Sequence, residues 1–123
     1  MSSVKIETHV HNDLGYTMTS YWVVHRATSS SSADAFSGTS LPQGGDSPTF
    51  QVTLESSTTD LWTVMWIDPQ NNLLGTPLNF SAEAFQKGGS IEIQLQSSGS
   101  KVEILQGGKT DGSAGVLTYG IAT

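Results

Sequence analysis

The chain has 123 residues, 36% of them hydrophobic and only 13% charged, and its formal net charge is −6 at pH 7. Its five basic residues, against eleven acidic ones, argue against nucleic acid as a partner, because binding to phosphate draws its affinity from clustered Lys and Arg. The absence of cysteine excludes disulfides, thiolate metal sites and a cysteine nucleophile.

Alternation of apolar and polar residues dominates the first half of the chain. Side chains at even positions over Val4–Val10 point one way and those at odd positions over Lys5–His11 point the other, as in a strand with one face in water. A second strand is predicted over Tyr16–His25. Residues 27–48 are rich in Ser, Ala and Gly and include four consecutive serines at 29–32. This segment predicts a long loop.

The second half adds further strand patterns and one helical signal. Phe50–Glu55 alternates, whereas Leu61–Ile67 is apolar on both faces, which favours a central strand. A turn over Asp68–Asn72 follows it. Ser81–Gly88 combines an N-cap candidate, good helix formers and a terminal glycine, which predicts one short helical turn. Later strands are predicted over Ile91–Leu95, Val102–Ile104 and Val116–Ile121.

Short strands and frequent turns predict the fold class. We expect an all-β protein, a single antiparallel β-sandwich of roughly seven or eight strands with at most one short helix, forming one domain over residues 1–123. The beginning of the chain lacks the apolar core of a signal peptide, and the longest nearly apolar run, Leu61–Ile67, is too short to cross a bilayer. These features predict a soluble product, in a compartment that the sequence does not identify.

Two histidines one residue apart raise the question of a metal site. On a strand, His9 and His11 share a face, and His25 on the next strand is a candidate third ligand. The alternative is that His9 and His11 belong to an exposed polar face, where the neighbouring Lys5 would repel a cation. No further ligand motif accompanies the pair. We therefore predict no metal and no other cofactor, and keep a metal-dependent enzyme using the three histidines as a less favoured alternative.

Motifs of catalysis are otherwise incomplete. Gly107–Thr110 resembles the end of a phosphate-binding loop, but Glu103 stands where that loop requires its first glycine, which favours a hairpin turn before the last strand. Ser113 lacks the G-x-S-x-G pattern of a nucleophile elbow. The sequence therefore predicts that the protein is not an enzyme.

Aromatic residues provide the strongest candidates for a binding site. In Leu61–Ile67, Trp62, Val64 and Trp66 fall on one face and Leu61, Met65 and Ile67 on the other. One face can line the core, so the other must be covered or used for binding. We predict Tyr21, Trp22, Trp62 and Trp66 as ligand contacts, because indole and phenol rings combine a large apolar face with a hydrogen-bonding edge. The alternative is that both tryptophans are core residues.

Three stretches resemble a known group of proteins. They are HVHNDLGYTMT at residues 9–19, FSGTSLPQGGDSPTFQV at 36–52 and GSAGVLTYGI at 112–121. Their order of strands and turn residues is similar to the aegerolysin and actinoporin-like group of small β-sandwich proteins, which includes membrane-interacting and insecticidal proteins. The resemblance implies a lipid-binding or surface-binding role, and it carries over no functional residue.

Three hypotheses of function follow from these patterns. The leading one is a non-catalytic protein that binds a membrane lipid or glycan, with action like that of a toxin or cytolysin. The second is a structural or storage protein that self-associates into oligomers or inclusions, because one strand is apolar on both sides. The third is a metal-dependent enzyme using His9, His11 and His25.

Overall fold

The computed structural model describes residues 3–28, 33–55, 59–98 and 100–122. In these ranges every regular element is a β-strand, and no helix is present. The eleven strands of the described residues are β1 Ser3–Asp13, β2 Met18–Ala27, β3 Asp34–Leu41, β4 Phe50–Glu55, β5 Asp60–Ile67, β6 Asn72–Gly75, β7 Phe80–Ser81, β8 Ile91–Gln96, β9 Lys101–Gln106, β10 Lys109–Gly115 and β11 Leu117–Ile121. The serines predicted at 29–32 to lie in a loop fall outside the described residues.

The strands form two sheets. The first sheet has the order β10-β9-β8-β1-β4 and the second the order β11-β6-β5-β2-β3, with the short β7 pairing with β5. Neighbours are antiparallel except β1 and β8, which run parallel. The prediction of an all-β protein is confirmed, and the two sheets are consistent with a β-sandwich. The described chain differs from the prediction in having eleven strands and one parallel pair.

A hydrophobic core joins the two sheets. On β1, Val10 is fully buried while His9 and His11 beside it are partly exposed, so the predicted alternation holds. On β5 the buried side chains are at even positions and the partly exposed ones at odd positions. The inner side of the first sheet adds the fully buried Val52, Ile91, Ile93, Leu95, Val102 and Ile104. As predicted, β5 is central, third of the five strands along the second sheet.

Several strands arise where the sequence pattern did not predict them. The expected loop over residues 27–48 contains β3, which pairs with β2 from Met18↔Leu41 to His25↔Asp34. The short strands β6 and β7 and the glycine-containing β10 were also missed. These segments lack apolar alternation and are held in strand geometry by their neighbours, since sheet pairing depends on context more than on local preference.

The predicted helical turn over Ser81–Gly88 is wrong. After β7 the backbone amides find partners outside the segment: Ala82 N donates to Asp60 O (3.3 Å) and Ala84 N to Asp60 Oδ2 (2.9 Å). Phe85 N donates to Gln106 Oε1 (2.7 Å). Only a tight turn from Phe85 to Gly88 remains. Tertiary hydrogen bonds therefore replace the bonds that a helix would have made along its own axis.

The final third of the chain passes from the first sheet to the second. Gly107 and Gly108, with φ of 60° and 83°, form the two-residue turn between β9 and β10, a geometry that favours glycine. The predicted hairpin turn is present, although it precedes β10 and not the last strand. After Gly115 the chain passes through Val116 from the edge of the first sheet to β11 at the edge of the second. Within the described residues, we find no helix with the length and apolar character needed to span a membrane.

Candidate functional site

The four aromatic residues predicted to contact a ligand do not form one surface. Trp62 and Trp66 have no exposed surface and Tyr21 is buried, whereas Trp22 points to the opposite face and is 39% exposed. A side chain enclosed by its own protein offers no surface to a partner. The prediction that Tyr21, Trp62 and Trp66 contact a ligand directly is therefore wrong for the folded chain, and their role is packing.

Both buried indoles hold neighbouring groups in place. Trp62 Nε1 donates to Ala82 O (2.9 Å), and its ring centroid lies 4.5 Å from that of His25. Trp66 Nε1 donates to the hydroxyl of Tyr16 (3.0 Å). Tyr16 is partly buried and packs on the edge of the core. The second bond positions Tyr16, which lines a cleft.

A cleft of about 320 Å³ is lined by residues of both sheets. It is bounded by the turn between β1 and β2, the turn between β8 and β9, and β11. Its described lining residues are Leu14, Tyr16, Trp66, Leu74, Gln96, Ser97, Ser100, Val116 and Thr118. Since Trp66 has no exposed surface, Tyr16 is the aromatic ring that a ligand would meet. The volume is at the low end of the range for small-molecule sites.

The cleft combines a small apolar wall with neutral polar groups. Leu74 and Val116 are partly exposed, and Ser97, Ser100 and Thr118 are exposed. All of its described lining residues are uncharged. Burial raises the pKa of the Tyr16 hydroxyl, the hydrogen bond from Trp66 lowers it by less, and the nearby Asp68 carboxylate raises it further. Tyr16 therefore stays neutral at physiological pH and can donate a hydrogen bond.

A second feature is the outer face of the second sheet, which is unusually apolar. Strand pairing places Trp22, Met65 and Leu117 in one row, with Gly75 between Met65 and Leu117. Met65 covers that glycine, since a Cβ added there would lie 2.9 Å from Met65 Cγ. Trp22 is 39% and Leu117 46% exposed. We call this row, with the partly exposed Ile67 and Leu73 beside it, the outer apolar face.

The three histidines do not form one site. His25 is buried on β2, with Nε2 2.7 Å from Asp60 Oδ1 and Nδ1 3.1 Å from Asp34 Oδ2. Both ring nitrogens are thus engaged by carboxylates. His9 and His11 lie on the outer face of the first sheet, so the proposed set of His9, His11 and His25 is not brought together. The part of that hypothesis that needs His25 as a ligand is wrong.

Carboxylates approach His9 and His11 instead. His9 Nε2 lies 2.9 Å from Glu92 Oε1 and 3.7 Å from Asp46 Oδ1. His11 Nδ1 lies 2.7 Å from the same Asp46 oxygen. Sequence reasoning missed this arrangement because Asp46 and Glu92 are far from the histidines along the chain. Only the strand pairing, which no spacing motif encodes, makes them neighbours.

No protein-family model matches this sequence, and no curated protein matches it. The resemblance to the aegerolysin and actinoporin-like group therefore stays a prediction.

Proposed function

We propose that this protein is a non-catalytic binding protein and that its cleft takes a neutral, hydroxyl-rich ligand, a glycan end of one or two sugar rings. The observation that carries this proposal is the cleft itself, which combines Tyr16 and the partly exposed Leu74 and Val116 with a group of uncharged hydrogen-bonding side chains. An apolar wall with a few directed polar groups is the usual composition of a small-molecule site.

The chemistry of a sugar fits this wall. The flat C–H side of a pyranose ring packs on an aromatic face, and its hydroxyls pair with amide and hydroxyl groups such as those of Gln96, Ser100 and Thr118. The cleft favours a glycan over a phospholipid headgroup, because a phosphate calls for Arg or Lys and none of the described lining residues carries a charge. The resemblance to membrane-interacting proteins points in the same direction when the sugar is the headgroup of a glycolipid.

The decisive experiment blocks the cleft without touching the core. Thr118 is exposed on β11, so Thr118→Trp fills the cleft from its rim. Thr39→Trp places the same change at an exposed position on β3, at the opposite edge of the same sheet. Binding of the wild type is first measured on immobilised glycans, on free mono- and disaccharides, and on vesicles with either glycolipids or phospholipids alone.

We expect binding to at least one sugar, and to glycolipid vesicles carrying that sugar. Thr118→Trp should weaken this binding at least tenfold, and Thr39→Trp should leave it within twofold of the wild type. Equal binding to vesicles with and without the sugar headgroup would favour lipid recognition instead. A wild type that binds none of the sugars, or a Thr118→Trp variant that binds as well as the wild type, would contradict the proposal.

A second candidate function is self-association through the outer apolar face. The specific observation is that this face continues onto an open sheet edge: within the described residues β11 pairs only with β6 and is exposed along its whole length. A second copy of the chain can add its own β11 to that edge and cover the apolar row at the same time. Exposed apolar surface beside an unpaired strand is a common route to association.

Sedimentation velocity over a range of protein concentrations tests this second candidate. Leu117→Lys places a charge in the apolar row and should shift the protein toward the monomer. Val4→Lys makes the same kind of change at an exposed position of the first sheet and should leave the distribution as in the wild type. A wild type that stays monomeric up to millimolar concentration would rule self-association out.

A further inference from the structure

We propose that His9, Asp46 and Glu92 form a binding site for a divalent transition-metal ion, with Zn²⁺ the best match. One ligand atom from each of the three side chains lies within 4.8 Å of the other two. The set comprises one imidazole nitrogen and two carboxylate oxygens. It shares no residue with the described lining of the cleft, so this site goes beyond the proposed glycan binding and stands independently of it.

Sheet pairing fixes two of the three ligands. In the parallel pairing of β1 with β8, His9 lies directly opposite Glu92. Both side chains point to the outer face of the first sheet and are partly exposed. Neighbouring residues on paired strands present their side chains to the same face at short separation. The approach of His9 to Glu92 is therefore a consequence of register and needs no flexible loop.

The loop before β4 fixes the third ligand. Its backbone is bonded to the end of β1 on both sides of Asp46: Asn12 N donates to Gly45 O (3.0 Å), and Ser47 N donates to Val10 O (2.8 Å). Val10 N in turn donates to Ser47 Oγ (2.8 Å). Asp46 itself forms an isolated bridge with His11. The carboxylate thus projects from a segment that extends the first sheet past the start of β4.

Two further side chains orient the carboxylates. His11 Nδ1 lies 2.7 Å from Asp46 Oδ1, and Gln94 Nε2 donates to Glu92 Oε2 (2.5 Å). The other oxygen of Glu92, Oε1, faces His9. Such outer partners fix ligand orientation at metal sites and are typically worth 10- to 100-fold in affinity. His11 and Gln94 are positioning residues in this arrangement.

The distances between the donor atoms suit a small ion. Zinc–nitrogen and zinc–oxygen bonds of about 2.0–2.2 Å with tetrahedral angles require donor atoms roughly 3.4 Å apart. The separations from His9 Nε2 are 2.9 Å to Glu92 and 3.7 Å to Asp46, each within about 1 Å of that value, and the two carboxylates lie within 4.8 Å of each other. The mixture of nitrogen and oxygen donors favours zinc or a similar transition metal over Ca²⁺ and Mg²⁺, which prefer oxygen alone.

The site keeps one side open. A shallow cavity of about 360 Å³ borders His9 and Glu92 and is otherwise lined by Ser90, Leu105, Gly107 and Gly108. It leaves room for a water molecule or an outside ligand in the fourth position of a tetrahedral ion. Structural zinc sites have four protein ligands, whereas a site with three protein ligands leaves the fourth position to water or another molecule.

The alternative to a metal site is an ion pair in which a protonated His9 lies between two carboxylates. Calorimetric titration of Zn²⁺ into the full, untagged chain separates the two. We expect one Zn²⁺ per chain, bound at micromolar concentration. His9→Gln and Glu92→Gln should each weaken binding at least tenfold, and His11→Ala should weaken it by about tenfold through the lost orientation of Asp46.

Glu7→Gln is the matched control, because Glu7 is an exposed carboxylate on the same strand and the same face; it should change the affinity less than twofold. The Co²⁺-loaded protein should show the strong visible absorption of a four-coordinate ion, and His9→Gln should abolish it. The midpoints of urea unfolding, measured for all variants without metal, show whether each variant is folded. Zn²⁺ binding weaker than millimolar in the wild type, or equal loss in Glu7→Gln and His9→Gln, would overturn the proposal.

Discussion

At the scale of single residues, the most consequential group is the buried His25 with its two carboxylates. Asp60 is almost fully enclosed; its Oδ1 lies 2.7 Å from His25 Nε2, and its Oδ2 accepts the Ala84 amide. One side chain therefore satisfies both a buried ring nitrogen and a backbone donor. Removing such a side chain strongly destabilises a protein, because its partner is left buried and unpaired.

We predict that Asp60→Ala destabilises the protein by about 3–5 kcal/mol, the usual cost of removing one partner from a buried pair of ionisable groups. Urea unfolding followed by tryptophan fluorescence measures the loss. Asp46→Ala, which removes an exposed carboxylate also close to a histidine, should cost under about 1 kcal/mol. If Asp60→Ala and Asp46→Ala lowered the free energy of unfolding by similar amounts, burial would not determine the strength of the interaction between Asp60 and His25.

Asp111 gives a second prediction at this scale. Its Oδ2 is buried and has no hydrogen-bond partner. Burial, and then the charge of Asp60, raise the pKa of its carboxyl above the ordinary value of 3.8. Because the folded state holds this proton more tightly than the unfolded state, ionisation of Asp111 lowers stability as the pH rises above 3.8 and through the raised pKa.

Asp111→Asn should therefore raise the free energy of unfolding at pH 7 by about 1 kcal/mol, since a neutral amide replaces a poorly satisfied buried carboxylate. At pH 3, where the carboxyl is protonated in both states, the two proteins should be equally stable. Urea titrations at the two pH values make the comparison. A gain that persists undiminished at pH 3 would show that charge is not its cause.

The two tryptophans of β5 show how much the alternation of residues along a strand can predict. Period-two alternation correctly placed Trp62 and Trp66 on one side of β5. It could not tell which side is the interior, because both are apolar. Asp60 lies on the same face as the two tryptophans. Only its partner His25, on the neighbouring strand, makes that face suitable for burial.

At the scale of elements, β3 is the strand that local sequence could not predict. It contains serine, threonine and glycine and has no apolar period. Its place is secured by β2, whose Tyr21 ring lies against Gly38: a Cβ added to that glycine would come within 2.3 Å of the Tyr21 hydroxyl. An aromatic ring covering a glycine on the adjacent strand compensates for the missing side chain.

We predict that Gly38→Val displaces the Tyr21 ring and destabilises the protein by about 1–3 kcal/mol, the range for overpacking. Ser37→Ala, at the exposed neighbouring position, should change stability by less than about 0.5 kcal/mol. Thermal or urea unfolding measures both. Should Gly38→Val prove as stable as the wild type, the contact with Tyr21 would have no role in fixing β3.

The remaining elements also separate into those that the local sequence predicts and those that depend on tertiary contacts. Strands with clear alternation, such as β1, β4 and β8, were predicted close to their observed bounds. The segment after β7 has the local composition of a helical turn, yet Asp60 and Gln106 take up its amides. The cleft could not be predicted either, because β5, β6, β11 and two turns meet there only in the finished fold.

At the scale of the whole molecule, the net charge and the exposed apolar surface have opposite effects on self-association. The net charge of −6 at pH 7 repels copies of the chain, whereas the outer apolar face favours their contact. As the pH falls from 7 toward the isoelectric point of about 4.7 expected from the sequence, the net negative charge decreases and the repulsion becomes smaller. Salt reduces it as well, since charges more than about 10 Å apart are screened at 0.1 M.

If the outer apolar face mediates self-association, the weight-average mass in sedimentation should rise when the pH falls from 7 to 5 in 20 mM NaCl. In 500 mM NaCl the mass should already be high at pH 7 and change little with pH. The weight-average mass of Leu117→Lys should stay below that of the wild type under all four conditions. A mass that is highest at pH 7 in low salt would contradict this balance.

The parallel pairing of β1 with β8 has a consequence for how the chain is made. Strand β1 leaves the ribosome well before its neighbour β8, which begins only at Ile91, so β1 lacks one of its partners until β8 has been synthesised. Long-range pairing of this kind slows folding and prolongs the exposure of apolar strands to aggregation. His9 and Glu92 meet only when that pairing forms, so the metal-binding arrangement would be among the last features acquired by a nascent molecule.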